Sequence, residues 1–454
     1  VVSTSDLLLA YYGDDFTGST DALEAMTTAG VPTVLFFETP DAEALARFPG
    51  VRAVGMAGHA RGRNPLWMRD HLAPALAALA QLGAPILHYK VCSTFDSSPE
   101  TGSIGCAIDI GVPLMPGNWS PMVVGAPRLR RFTAFGHLFA IADGEGFRLD
   151  RHPTMSRHPV TPMGESDLRL HLGAQTSRRT GLVDFHRLKQ GDGYATLRTI
   201  REEGDDVPVV LIDVLDDETL REAGRLVWEG RGDGLFTASS SGLQYALAAH
   251  WHATGLVPAP VPLPETSKVE AIAVVSGSCS PVTAAQIEWA QANGFAAHRL
   301  DIPRLLGGDS AEIARAVEAA CNAWSRGQSP LVFSAMGPDD PAVRAFEDAA
   351  RAAGLDRAEA ALRTGRALAQ VMCAILDRLP QLRRIAVAGG DSSGEVAAAL
   401  GVQALTMTAR LAPGAPLCRA WSRDGKRDGL EIVLKGGQMG NTGFFGAVRD
   451  GTAT

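Results

Sequence analysis

Two adjacent carboxylates, Asp14 and Asp15, stand in the run Tyr11-Tyr12-Gly13-Asp14-Asp15-Phe16-Thr17-Gly18-Ser19-Thr20-Asp21, directly behind a short apolar stretch. Neighbouring carboxyl groups split their pKa values, so one of them can take a proton from a substrate hydroxyl. An Asp or Thr at such a place also caps a following helix, which explains one of these residues better than it explains a pair. A second group follows Lys90: Val91-Cys92-Ser93-Thr94-Phe95-Asp96-Ser97-Ser98-Pro99-Glu100-Thr101-Gly102-Ser103-Ile104-Gly105. Hydroxyls, a carboxylate and a lysine together suit a polyhydroxylated anion; the plainer alternative is a Ser-rich turn with Lys90 reaching solvent. A third group is Ala57-Gly58-His59-Ala60-Arg61-Gly62-Arg63, where the Arg61 fork fits a carboxylate in bidentate fashion unless it is a surface arginine. The stretch from His152 to Met163 holds two histidines and an arginine at irregular spacing, with no adjoining acidic ligand, so no metal site is assigned.

Glycine-rich segments dominate the C-terminal part. Val275-Ser276-Gly277-Ser278-Cys279-Ser280, Ala388-Gly389-Gly390-Asp391-Ser392-Ser393-Gly394 and Leu434-Lys435-Gly436-Gly437-Gln438-Met439-Gly440 each follow an apolar run. Glycine lets backbone N–H groups approach phosphate oxygens, and a helix start beyond the loop adds its positive dipole end. Any strand-to-helix turn favours glycine, so the weight lies in having three. None fits G-x-x-x-x-G-K-[ST], which excludes an ordinary P-loop enzyme. A dinucleotide fold is also tested: Gly277 follows a strand and Asp301 stands about 24 residues on. It fails, because Ser276-Gly277-Ser278-Cys279-Ser280-Pro281 supplies one glycine where G-x-G-x-x-G needs three.

The elements that must position these residues alternate. Leu7 to Tyr12, Thr33 to Phe37, Val51 to Ala57, Pro85 to Lys90 and Met122 to Gly125 read as buried strands, with helices at Asp21 to Ala29, Asp41 to Phe48 and Pro65 to Leu82. Repeated strand-then-helix order predicts parallel α/β construction. Asp143 to His171 breaks the rhythm with three prolines and reads as a long irregular excursion. Strands resume at Val207 to Ile212 and Gly234 to Ala238, followed by a helix from Gly242 to His252. The alternating Pro258, Pro260, Pro262 and Pro264 favour extended chain and mark a domain boundary. Beyond it come strands at Ala271 to Ser276, Pro330 to Ser334, Arg384 to Ala388 and Leu430 to Lys435, and helices at Val282 to Asn293, Ser310 to Arg326 and Arg357 to Leu379. The expected architecture is two α/β domains with mainly parallel sheets, 1–255 and 269–454, joined by a linker at 256–268 and facing each other across a cleft.

Composition narrows the function. The chain has 454 residues, 46 % of them apolar, and a net charge of -8. That acidic balance argues against nucleic acid or an anionic membrane, whose binding rests on clustered Lys and Arg. No run approaches the roughly 18 apolar residues of a membrane helix, and the first six residues lack a signal-like pattern, so a cytoplasmic location is expected. The six cysteines are scattered, without CxxC or short Cys/His pairing, and read as reduced thiols. Only five residues are lysine, and two of them, Lys90 and Lys435, stand in the motifs above.

In order along nearly the whole chain, Gly13-Asp14-Asp15-Phe16-Thr17-Gly18, the Lys90 to Gly105 segment, His158-Pro159-Val160-Thr161-Pro162-Met163 and the three glycine segments resemble the four-carbon acid sugar kinase family. The resemblance implies an N-terminal substrate domain, a C-terminal nucleotide domain, and phosphorylation of a four-carbon sugar acid by ATP with Mg2+. It implies Arg61 and Lys90 on the substrate carboxylate, Asp14, Thr17, Ser93, Thr94 and Asp96 on its hydroxyls, and Asp15, with Asp14 as alternative, as general base. ATP would lie on Ser276, Gly277, Ser278, Ser280, Gly389, Gly390, Asp391, Ser392, Ser393, Gly436 and Gly437. Threonate-type members carry a segment like Asp-Ser-Thr-Leu-Arg-Gly-Asn after the lysine. Cys92 to Pro99 lacks the Arg-Gly-Asn, which puts a 3-oxo-tetronate first, with threonate, erythronate or the branched 3-oxo-isoapionate as alternatives. A homodimer is expected by analogy alone. A nicotinamide-dependent hydroxy-acid dehydrogenase and a non-catalytic sugar-acid binder are the rival classes; an aldolase or dehydratase would leave the glycine loops unexplained.

Overall fold

The computed structural model describes residues 6–142, 144–158, 160–260, 263 and 266–453. Of the residues singled out above, Val1 to Ser5, Asp143, Pro159, Pro262 and Pro264 lie outside the described residues. The chain divides into two compact units, Val1–Val261 and Pro262–Thr454.

The first unit holds strands β1 (Leu9–Gly13), β2 (Thr33–Phe36), β3 (Ala53–Ala57), β4 (Ile86–Lys90), β5 (Ser120–Met122), β6 (Arg131–Ala134), β7 (His137–Ala142), β8 (Glu145–Arg148), β9 (Thr180–Val183), β10 (Val209–Ile212) and β11 (Leu235–Ser239). Its main sheet runs β11-β4-β1-β3-β2, all parallel. Strands covered on both faces read as continuous apolar runs, which is why these five were visible in the sequence. In register, Gly13 pairs with Ala57 and Lys90, and Lys90 with Ser239, so four carboxyl ends lie side by side. Tyr11 and Tyr12 wedge toward opposite faces. A Cβ on Gly55 would stand 2.1 Å from the Tyr11 ring, and one on Gly58 2.1 Å from the Tyr12 ring. A smaller parallel sheet, β5-β10-β9, completes the α/β part.

Two readings of this unit need correction. The Pro65 to Leu82 stretch is not one helix: Pro65–Trp67 and Ala73–Ala80 flank a π turn at Met68–Leu72. Pro74 is the physical reason, since it lacks an N–H and its ring crowds the carbonyl four residues back. The excursion from 143 to 171 opens inside an antiparallel sheet, β6-β7-β8, rather than in irregular chain. β8 (Glu-Gly-Phe-Arg) is polar and largely exposed, so it carries no strand-like apolar pattern. The excursion then continues through short turns at Leu149–Arg151 and Met155–Arg157 to a helix at Leu168–Gly173.

The second unit contains β12 (Ala273–Ser276), β13 (Phe295–Arg299), β14 (Ser329–Phe333), β15 (Arg384–Ala388), β16 (Val402–Ala412), β17 (Ala415–Ser422) and β18 (Glu431–Lys435). Their order is β16-β17-β18-β15-β12-β14-β13. The last five are parallel, whereas β17 and β16 run antiparallel as a bulged ribbon. Ile272, Val274, Leu331, Phe333, Leu417, Val433 and Phe444 form the heart of its core. Both units are α/β with mainly parallel pairing, as expected. Among the described residues no helix is long and apolar enough to cross a membrane.

Candidate active site

In the first unit the carboxyl ends of β1, β3 and β4 bring the carboxylates and cations together. Asp15 caps the helix Phe16–Thr28, accepting from the Gly18 N–H at 2.6 Å, so that helix starts five residues earlier than the apolar pattern indicated. Arg61, in a short turn after β3, grips both aspartates. Its Nη2 and Nε donate to Asp14 Oδ1 and Oδ2 at 2.7 and 3.0 Å, and its Nη1 to Asp15 Oδ2 at 2.6 Å. The Arg61 backbone N–H also donates to the Asp14 carbonyl at 3.0 Å. Burial pushes the Asp14 carboxyl up against the opposing Arg61, and the charge of Asp15 adds to the rise. The side chain of Asp14 is 5 % exposed and that of Asp15 29 %, so Asp15 is the one a ligand can reach.

Lys90 is buried, with Nζ 3.2 Å from Asp21 Oδ2. Burial disfavours its charge, but Asp21, Asp15 and Asp14 outweigh that and hold its pKa above the ordinary lysine value. A Cβ on Gly18 would stand 2.8 Å from Lys90 Nζ and 3.6 Å from Arg61 Nη2, so the glycine leaves open the point on which both cations converge.

The loop after Lys90 supplies hydroxyls and a further carboxylate. Thr94 Oγ1 donates to Asp96 Oδ1 at 2.6 Å, and both residues are buried. Burial acts to raise Asp96, but Arg61, the Thr94 hydroxyl and His158 prevail and hold it low. Thr17 sits in the first helical turn and Ser93 in the loop, both half-buried. Phe95 takes φ 56, a conformation that costs a non-glycine residue energy and must be held by its surroundings. The holding groups are His171 Nε2, 3.0 Å from Ser97 Oγ, and Gln175. Gln175 donates to Ser97 Oγ at 2.9 Å and accepts from the Ile104 and Gly105 N–H groups at 2.8 and 3.3 Å.

In the second unit β18, β15 and β12 are neighbours, with Lys435 in register with Ala388 and Ala388 with Ser276. The three glycine segments consequently emerge side by side. Their glycines are needed for contact: a Cβ on Gly277 would stand 2.1 Å from Ser392 Oγ, and one on Gly437 2.6 Å from Ser278 Oγ. Ser276, Ser278, Ser392 and Ser393 are buried, Ser280 is half-buried, and Gly390 and Asp391 are exposed. Gly390 to Ser393 form the first turn of a helix, Gly390–Ala399, whose cap Gly389 has φ 117. Ser280 caps the helix Pro281–Ala292 through the Val282 N–H at 3.2 Å.

Behind the third loop Lys435 is fully buried. Its Nζ donates to Thr283 Oγ1 and the Gly436 carbonyl at 3.0 Å each, and lies 3.4 Å from the Gly437 carbonyl. Among the described residues no carboxylate offsets it, and burial pushes its pKa down to about 8. Gln286 continues the clamp, with Nε2 bonded to the carbonyls of Met439, Gly440 and Asn441 at 2.9, 3.2 and 2.9 Å. Sequence reading passed over Asp21, Thr283, Gln286, His171 and Gln175. Asp21 was within sight, one helical turn past Thr17; the others carried no local signal.

Two parallel α/β units, one with carboxylates, hydroxyls and cations at its strand ends and the other with three glycine loops, define a class of two-substrate phosphotransferase. The chain belongs to the four-carbon acid sugar kinase family: residues 9–247 match the sugar-binding N-terminal domain and residues 273–445 the nucleotide-binding C-terminal domain. It is a carbohydrate kinase that acts on a sugar acid and uses ATP. A 3-oxo-isoapionate kinase of Paraburkholderia graminis is 66 % identical over 447 residues, covering 98 % of this chain and 94 % of the relative. A 3-oxo-tetronate kinase of Methylobacterium radiotolerans is 31 % identical over 454 residues, covering 98 % and 99 %. The crystal structure of a Salmonella typhimurium LT2 protein shares the fold, with a TM-score of 0.75 at 24 % identity over 97 % of each chain.

Proposed function

We propose that the substrate is 3-oxo-isoapionate, a branched 3-oxo sugar acid, and that a primary hydroxyl is phosphorylated. One observation carries this reading: identity of 66 % with a 3-oxo-isoapionate kinase against 31 % with a 3-oxo-tetronate kinase. It moves the branched acid, an alternative on sequence grounds, ahead of the 3-oxo-tetronates. The N-terminal unit holds the acid and the C-terminal unit ATP, with the division near 256–268, in a cytoplasmic enzyme.

Asp15 is the general base, the more accessible carboxylate of the pair and already oriented by Arg61 and the Gly18 N–H. Asp14 is the buried brace that sets the Arg61 fork. Thr17, Ser93, Thr94 and Asp96 bind hydroxyls, while Arg61 and Lys90 surround the reacting oxygen with positive charge. The triphosphate lies on the N–H groups of Ser276 to Ser280, Gly389 to Ser393 and Gly436 to Gly437, where donors fixed beforehand stabilise charge as it develops. Mg2+ would come with the nucleotide and supply further charge stabilisation at the transferring phosphoryl group, and no side chain of this chain is assigned to hold it. A coupled ADP-release assay over 3-oxo-isoapionate, 3-oxo-tetronates, threonate and erythronate tests the reading. The branched acid should give the highest kcat/KM; release from none of them would sink it.

A further inference from the structure

The cluster at the ends of β1, β3 and β4 poses a charge problem. Two cations, Arg61 and Lys90, face four carboxylates, Asp14, Asp15, Asp21 and Asp96. Each cation already has a carboxylate partner, and Arg61 directs three of its N–H groups to them. A substrate carboxylate entering there meets an excess of negative charge, so another cation must receive it.

Arg131 has the properties required. It begins β6 and is half-buried, and no carboxylate lies within ion-pair distance of it among the described residues. Its Nη1 donates to the carbonyls of Leu129 and Arg130 at 3.1 Å, while its Nε is buried without a partner. Buried guanidinium donors are ordinarily bonded, and an unbonded one is costly unless a ligand completes it. The backbone leads from this residue to the site. Arg131 exchanges hydrogen bonds with Ala126 at 2.9 and 3.2 Å, just beyond the end of β5. Val123, three residues earlier, donates to Ser239 Oγ at 2.9 Å, and the Ser239 carbonyl accepts from Val91 N–H at 2.9 Å, next to Cys92.

Burial depresses the Arg131 pKa. Arg231 is also depressed by burial alone, but it stacks on the Trp228 ring at 3.9 Å, ahead of β11 and so at the opposite end of that strand from Ser239.

We infer that Arg131 is the substrate-binding cation for the sugar acid's carboxylate, and that it makes the enzyme prefer an acid to its uncharged counterpart. This rests on the sugar-acid reading above and replaces Arg61 and Lys90 in that one task. The test compares kcat/KM for the 3-oxo acid and for its carboxamide, in wild type, Arg131→Met and Arg131→Lys. Wild type should favour the acid. Arg131→Met should lower kcat/KM for the acid about 100-fold and for the carboxamide only a few-fold, with Arg131→Lys restoring part of the preference. Equal loss on both substrates, or no loss on either, would overturn the proposal. Should Arg131→Met fail to fold, Arg131→Gln against Arg131→Lys makes the same comparison. ADP release from no acid at all in wild type would overturn the substrate reading and this assignment together, a result distinct from equal loss.

Discussion

The two units gather their candidate site residues at the same place in the same kind of sheet, the carboxyl ends of parallel strands, but treat a buried lysine in opposite ways. Lys90 has Asp21 as partner with Asp14 and Asp15 nearby, and its charge is secured. Among the described residues Lys435 meets a hydroxyl, two carbonyls and the Phe444 ring, and its charge is weakened. A site that must take a proton from a hydroxyl needs carboxylates, and these require permanent counter-charges. A site for a polyphosphate needs the reverse, a cation left uncompensated until the anion arrives.

The largest effect should come from removing the base. Asp15→Asn should lower kcat by about 10²- to 10⁴-fold, measured by ADP release at saturating substrates, and Asp14→Asn should act mainly by disordering Arg61. If Asp15→Asn stays within a few-fold of wild type while Asp14→Asn abolishes turnover, the two roles are exchanged. Next in size, Asp21→Asn should destabilise the protein by about 3 kcal/mol, because Lys90 then stays buried without its partner. Thermal denaturation reads this, and among the described residues no carboxylate stands beside Lys435 to be removed.

Lys435→Met should raise KM for ATP about 10-fold, the effect of losing one hydrogen-bonded charge at the loop, with little change in KM for the sugar acid. The sign of its titration offers a sharper probe. Its pKa of about 8 lies below the ordinary lysine value, so above pH 8 the free enzyme carries it largely neutral. An arriving polyanion raises that pKa, and ATP binding near pH 8.5 should take up a proton. Calorimetry in buffers of different ionisation enthalpy would register it; no uptake would mean that Lys435 does not sense the nucleotide.

The smallest effect concerns Asp213. Burial raises its carboxyl to about 6, although it accepts from the Gly136 and Phe185 N–H groups at 3.1 and 3.2 Å. The folded state thus holds this proton more tightly than the unfolded chain. Its contribution to stability is full below pH 4 and declines as pH climbs to about 6. A denaturant midpoint measured across that range should lose this component of its slope in Asp213→Asn.

Much of this plan was legible because it is local. Strands buried on both faces announce themselves as apolar runs, and the residues just past them are where α/β sheets do chemistry. Asp14, Asp15, Lys90 and the glycine loops were singled out on that rule, and the structure sets them at neighbouring strand ends within each unit. What stayed hidden depends on register and on distant partners. Lys90 and Asp21 are 69 positions apart, Lys435 and Thr283 152, and Gln175 reaches Ser97 across 78. Arg131 offered no motif, because an arginine opening a half-exposed strand looks like any surface residue. The ribbon β16–β17 and the sheet β6-β7-β8 were missed because antiparallel strands need no continuous apolar run.

The tyrosines of β1 give the carboxylate pair its fixed address. On the face of β3 that meets Tyr11, Gly55 stands between Ala53 and Ala57, and the ring fills the space where a Cβ would be. Sliding β1 by one pleat repeat would set that ring against an alanine, and Tyr12, seated over Gly58, blocks the same movement from the other face. The strand therefore works like a bolt with two teeth. Asp14 and Asp15, just beyond its tip, are indexed along the strand axis before Arg61 closes on them, and widening either glycine should shift catalysis without touching a catalytic group.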